Sequence, residues 1–304
     1  MIEVVPNVSE GRRPEIVHAL RTAVASVRGA TLLDYSSDPS HNRSVFTLVG
    51  EADALHGAVL RLVDVAVRHI DLRTTDRGAH PRIGAVDVVP FIPLAGSVMA
   101  DCVTLAQDTA RSIADTFGVP VYLYEEAATR PERQRLESIR RGEFEGLAAR
   151  MRTAEWQPDY GPSTPHLSAG ATVVGARRPL IAFNVDLESA TLDDARHIAS
   201  VVRESSGGLR SVKALGLWLP HRGRAQVSMN LTDFTTTSVA VAFDAVVQAA
   251  TARGVGVRES ELIGLIPAAA LAETTPEHLK LAGFDASRIL EEQITRATSI
   301  RKAR

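Results

Sequence analysis

Val4-Val5-Pro6-Asn7-Val8 and Ile181-Ala182-Phe183-Asn184-Val185 are two versions of one pattern, an apolar run closed by Asn-Val. From Asn7 to Asn184 the step is 177 residues. A second pair, Val89-Pro90-Phe91-Ile92-Pro93 and Leu262-Ile263-Gly264-Leu265-Ile266-Pro267, repeats from Pro93 to Pro267 at a step of 174. Between them, Ser44-Val45-Phe46-Thr47-Leu48 holds the place that Gln226-Val227-Ser228-Met229-Asn230 holds in the second half. Similar steps in unchanged order point to an internal duplication. The elements around each pair read β-α-β-β-α-β, the ferredoxin-like unit. The expected fold is therefore α+β, with two ferredoxin-like subdomains at residues 1–178 and 179–304. Each is a sheet with helices on one face, and a ligand is expected in the cleft between them.

The remaining chain fits this frame. Residues 14–27 have helical spacing, with Ile16, Val17, Leu20, Val24 and Val27 on one face and Pro14 at a first helical position. Residues 30–35 and 44–49 read as strands, joined by a polar connection long enough to carry function. Helices are expected at 51–70 and 101–117, strands at 85–92 and 119–124, and a charged helical region at 131–154. Gln157-Pro158-Asp159-Tyr160-Gly161-Pro162-Ser163-Thr164-Pro165-His166 breaks all periodicity and reads as the inter-domain crossing. Beyond it the spacing predicts strands at 180–185, 212–219, 225–231 and 260–266. Helices are expected at 192–204, at 236–253 and in a tail around 287–297.

Composition narrows the function. The 304 residues are 45% hydrophobic and 23% charged, as in an ordinary globular protein. Lys plus Arg is 34 against 36 Asp plus Glu, a net charge of −2, which argues against nucleic acid as a partner. Cys102 is the single cysteine, so neither an intrachain disulfide nor a cysteine metal cluster forms. It stands at a helix start, where a thiolate is favoured, yet its flanks read as the apolar stripe of that helix. The first residues lack the basic and apolar regions of a signal peptide, and no apolar run approaches the roughly 18 residues of a membrane span. A cytoplasmic protein without membrane contact is expected. There is no phosphate loop, no dinucleotide fingerprint and no Gly-x-Ser-x-Gly elbow. His41, His56, His69 and His80 lie too far apart for a compact ligand motif, so no metal is expected. His18, His56, His69, His197 and His278 read as solvated or core histidines.

The chemistry-bearing stretch is Gly78-Ala79-His80-Pro81-Arg82-Ile83-Gly84, which turns directly into the strand at 85–92. Pro81 biases His80 toward an extended backbone, and the glycines permit close turns. His80 reads either as a loop histidine with a local hydrogen bond or as a proton acceptor poised near neutrality. Arg43, Arg82, Arg177, Arg178, Arg222 and Arg224 could grip carboxylates, although each read singly is a solvated charge. Asn7, Asn42, Asn184 and Asn230 end strands and could polarise a reacting centre. The set suits group transfer between a small anionic donor and an amine.

Several long motifs, in collinear order, resemble the formiminotransferase family. They are Val5-Pro6-Asn7-Val8-Ser9-Glu10-Gly11, Asn42-Arg43-Ser44-Val45-Phe46-Thr47-Leu48-Val49-Gly50 and the His80 turn. Val119-Pro120-Val121-Tyr122-Leu123-Tyr124, Trp156-Gln157-Pro158-Asp159-Tyr160-Gly161-Pro162 and Gly170-Ala171-Thr172-Val173-Val174-Gly175-Ala176-Arg177 continue the likeness. Leu180 to Val185, Gln226 to Phe234 and Leu262 to Pro267 extend it over nearly the whole chain.

The resemblance implies glutamate formimidoyltransferase activity, with the formimidoyl group passing from N-formimidoyl-L-glutamate to N5 of tetrahydrofolate. It implies His80 as general base and no metal. A formyltransferase acting on 5-formyltetrahydrofolate and a non-catalytic folate-binding protein are the alternative readings. The implied folate segment is Gly161-Pro162-Ser163-Thr164-Pro165-His166-Leu167-Ser168-Ala169-Gly170. Asn7, Asn42, Arg43, Arg82 and Asn184 are further candidate binding residues, read from their own chemistry. Two departures stand out: Ala169 replaces a bulky aromatic of the animal members, and Ser36 replaces an acid, with Asp38 two residues on. The pocket width and the acid that would orient His80 therefore differ from the animal pattern. The family further implies a homodimer and a donor from histidine breakdown. Because the chain ends at Arg304, the cyclodeaminase fused to it in animals is expected on a separate chain.

Overall fold

The repeated runs fall in strands: the Asn-Val pair and Val89 to Pro93 in central ones, and the start of Leu262 to Pro267 in an edge strand. In a computed structural model, which describes residues 1–75 and 77–302, the chain divides into two units, Met1–Arg177 and Arg178 onward.

The first unit runs β1 (Ile2–Val4), β2 (Asn7–Val8), α1 (Pro14–Ala25), β3 (Thr31–Asp38), β4 (Arg43–Gly50), α2 (Ala52–His69) and β5 (Val86–Pro93). It continues with α3 (Met99–Phe117), β6 (Val121–Glu125), α4 (Leu136–Ile139), α5 (Glu143–Arg150) and β7 (Thr172–Ala176). β1 and β2 are two parts of one strand broken at Val5-Pro6, and both lie between β4 and β5. The ladder continues across the break, since Val5 N donates to Pro90 O and Phe46 N donates to Pro6 O. The sheet order is β3-β4-(β1, β2)-β5-β7-β6, antiparallel up to β5 and parallel thereafter. Three amphipathic helices cover one face, burying Val17, Leu20 and Val24 from α1, Leu55, Leu62 and Val63 from α2, and Leu105 and Ile113 from α3.

The second unit runs β8 (Ile181–Glu188), α6 (Leu192–Val202), β9 (Val212–Leu219), β10 (Arg224–Leu231), α7 (Val239–Ala252) and β11 (Gly256–Ile263), followed by α8 (Leu290–Lys302). Its sheet is antiparallel in the order β11-β8-β10-β9. The predicted β-α-β-β-α-β order is present here. Phe183, Val185 and Leu187 point to the core under α6 and α7, while the alternate residues Asn184 and Asp186 form a polar face. The two halves also match in pairing. Asn7 faces Val45 and Val88 across its neighbours, and Asn184 faces Ser228 and Glu261. Val45 thus corresponds to Ser228, one residue off the register read from the sequence.

The first unit departs from expectation in three ways. Its sheet carries extra parallel strands, and β7 was missed because Gly170, Gly175 and the alanines dilute its apolar pattern. A second core of Ile83, Val88, Tyr122, Tyr124, Ile139, Leu147, Met151 and Val173 covers the opposite face of this extension. Finally, the expected helical region at 131–154 is broken into short helices by Gly142, whose φ is +81°.

The proline-rich stretch 157–166 is not a crossing between units. It lies inside the first unit, where Val121 N donates to Tyr160 O and Leu123 N donates to the Asp159 carboxylate. Arg133, 1% exposed, pins it further by donating to Asp159 at 2.8 Å and to the carbonyl of Gln157. Breaking a buried ion pair from one side strands its partner. Arg133→Met is therefore expected to cost about 3–5 kcal/mol of unfolding free energy in urea titration. The double variant Arg133→Met with Asp159→Leu should recover part of that loss.

Candidate active site

The site in the first unit grows from a carboxylate inside an apolar strand. Asp87 on β5 has no exposed surface. Its Oδ1 accepts the Ile83 N–H at 2.8 Å. Its Oδ2 accepts from the Arg43 guanidinium at 2.7 Å and from Arg140 at 2.5 Å. Burial alone would raise its pKa, but the two cations and the backbone donor outweigh that and hold it below the ordinary carboxylate value. Asp87 stays charged and fixes three chain segments at one point.

Arg43 opens β4 and reaches along the sheet. It donates to Asn7 Oδ1 at 3.0 Å and to the carbonyl of Pro81, next to His80, at 3.1 Å. Burial, opposed by Asp87, brings its pKa down to about 10. Asn7 completes its own bonding through Nδ2 to Val5 O at 3.0 Å. Asn42 adopts a left-handed φ of +44°, which asparagine tolerates, and its Oδ1 accepts the Gly11 N–H at 3.0 Å. Both asparagines thus bind protein groups that order the site.

His80 sits above this network. Its Nδ1 is buried and has no hydrogen-bond partner among the described residues. Burial, then the charges of Arg43, Arg140 and His41, hold its pKa well below the ordinary 6.5. The imidazole is therefore neutral near pH 7 and has a lone pair to offer. Among the described residues no carboxylate hydrogen-bonds it: Asp38 accepts the backbone N–H groups of Ser40 and His41 at 2.7 and 2.9 Å, building the turn between β3 and β4. Gly78 lets the two loops meet, because a Cβ there would lie 1.8 Å from His41 O. Ala79 N donates to Ser40 O across the same contact.

Arg82, 4% exposed, reaches Glu145 at 3.4 Å and stands 6.0 Å from the Phe144 ring. Arg77 holds the same glutamate at 2.7 Å. The Nε atoms of Arg82 and Arg140 are buried without an acceptor among the described residues. The cluster thus carries more guanidinium donors than the described residues satisfy.

The 161–170 segment reaches the His80 turn through its last residues. Gly161, Pro162, Ser163 and Thr164 are exposed, Pro165, His166 and Ser168 are half-buried, and Leu167 is 71% exposed at the tip. His166 and Gly170 exchange backbone hydrogen bonds at 2.8 and 3.0 Å, Ser168 O accepts from Leu72, and Ala169 O accepts from Ala85. A Cβ on Gly170 would lie 2.1 Å from Ile83 O, so Gly170 packs directly on the segment that follows His80. Ala169 is buried against the helical core.

Asn184 lies in the second unit, where it is buried on β8. Arg222 and Arg224 are there too, paired with Asp186, Glu259 and Glu261. Arg177 follows β7, and its side chain bonds Tyr124. Cys102 is buried, and burial pushes its thiol up to about 11, so it is no nucleophile. Among the described residues, no group of three acidic, His or Cys side chains could hold a metal, and no helix is long and apolar enough to cross a membrane. Asp87, Arg140 and His41 were not singled out from the sequence. Only Asp87 had a signal there: a charge inside the apolar run Val86-Asp87-Val88-Val89 is uncommon unless it is paired.

Comparison with known proteins places this geometry. Residues 1–177 match the formiminotransferase domain, N-terminal subdomain, and residues 182–297 match the formiminotransferase domain. The glutamate formimidoyltransferase of Streptococcus pyogenes serotype M1 is 44% identical, over 94% of this chain and 95% of that protein. The glutamate formimidoyltransferase of Thermoplasma acidophilum is 41% identical over 99% of both chains. The formimidoyltransferase-cyclodeaminase of Sus scrofa is 43% identical over 90% of this chain, which spans 51% of that longer protein. This chain belongs to the formiminotransferase family.

Proposed function

We propose that this protein transfers a formimidoyl group from N-formimidoyl-L-glutamate to N5 of tetrahydrofolate, with His80 as general base. The observation that carries this reading is the full-length likeness to two proteins named glutamate formimidoyltransferase. At the level of residues, the support is a neutral His80 with an open Nδ1 beside a surplus of guanidinium donors. N5 attacks the formimidoyl carbon and its proton passes to His80; the tetrahedral intermediate then collapses, and the glutamate nitrogen gains a proton and leaves as the free amine. The donor is a glutamate derivative with two carboxylates, and the spare Nε donors of Arg82 and Arg140 suit such a group. Tetrahydrofolate is a cosubstrate in this reading, held by the 161–170 loop. With the reading go a homodimer, a cytoplasmic setting and a donor supplied by histidine breakdown.

An absorbance assay on the purified protein tests the reaction. Tetrahydrofolate with N-formimidoyl-L-glutamate is expected to react faster than tetrahydrofolate with N-formylglutamate, and a faster formyl reaction would refute the reading. His80→Ala is expected to lower kcat by about 10²- to 10⁴-fold with little change in folate affinity. Unchanged turnover would remove His80 from the mechanism. The base works only when unprotonated, and its pKa lies below 6.5, so the acid limb of kcat/KM for the free enzyme is expected below that pH.

A further inference from the structure

An imidazole base is commonly aimed by a carboxylate that hydrogen-bonds its second nitrogen. Among the described residues, His80 has none. The charged groups among them that face it are Arg43 from β4 and Arg140 from the segment after α4, both tied to Asp87 on β5, together with His41 from the turn between β3 and β4.

His41 is held firmly. It is 7% exposed, and its N–H is fixed by the Asp38 carboxylate at 2.9 Å. The backbone of its turn meets Gly78 and Ala79 directly, so the two histidine-bearing loops are packed against each other. The ring centroids of His41 and His80 lie 5.7 Å apart with a tilt of 49°. At that separation two imidazoles cannot both be protonated without mutual repulsion.

We propose that His41 is the positioning residue of His80, its ring setting the orientation of the base and sharing one proton-accepting site with it as a coupled pair. The proposal rests on the role of His80 in the formimidoyl transfer above. Asp38 acts one step further back, by building the turn that presents His41.

The coupling is read by following the ring proton signals of both histidines across pH by nuclear magnetic resonance, in the unaltered protein and in His41→Phe and His41→Gln. The unaltered protein is expected to show a second inflection in the His80 curve where His41 titrates. In either variant the His80 midpoint is expected to rise by about 0.5–2 pH units, the effect of a unit charge across about 6 Å between watery and protein-like dielectrics. The acid limb of kcat/KM should rise by the same amount, while KM for the donor changes less than twofold. A single inflection in the unaltered protein, or an unchanged midpoint in a folded variant, overturns the proposal. A shifted midpoint in a protein that transfers no formimidoyl group would leave the pair intact and refute the proposed reaction instead.

Discussion

The structure of the first unit hangs on the Asp87 carboxylate. A charge with no access to water persists only if its neighbours replace the lost hydration. Arg43, Arg140 and the Ile83 N–H do so here, and each comes from a different part of the chain. One buried anion thereby fixes the start of β4, the segment after α4 and the turn that follows His80. Removing it would leave two guanidinium groups facing each other in a low-dielectric site, and the geometry around His80 would be the first thing lost.

The same anion sets the electrostatics around His80. Asp87 is engaged by its two arginines, so His80 feels burial and net positive charge, and none of the described carboxylates offsets them. A neutral imidazole follows. Such an imidazole is a weak base, and an anion bound beside it would cancel part of the arginine field and raise its basicity. In the proposed transfer, basicity that rises with occupancy would make His80 the strongest proton acceptor when both substrates are in place.

Much of this fold is legible in the sequence. The repeated apolar runs become the central strands β1, β2 and β8, and α1, α2 and α7 follow from the spacing of their buried stripes. The extension of the first sheet is not legible, because β7 is made of glycine, alanine, threonine and valine and is stabilised by its neighbours. Gly175 shows why: a Cβ there would lie 2.3 Å from Tyr124 O, so close packing and not hydrophobicity selects the residue. His80 could be singled out because its Pro-Arg turn is local. Arg140 and His41 could not, since they reach His80 through tertiary contacts that join chain segments about 40–60 residues apart, and no local pattern records such a meeting.

The duplicated scaffold is used unequally. In the second unit, Asp186 accepts from Gln226 at 2.7 Å and Arg224 at 3.1 Å, while Glu259 and Glu261 answer Arg224 and Arg222 at 2.8 and 3.0 Å. Cations there are matched by acids, and that polar face is electrostatically closed. In the first unit, Arg43 and Arg140 share a single acid, and Glu145 is divided between Arg77 and Arg82. Two buried Nε donors have no acceptor among the described residues. An unmatched buried donor costs stability, and an anion that reached it would recover that cost. Of the two sheets, the one whose guanidinium groups keep such donors beside a neutral histidine is the one suited to meet an anion.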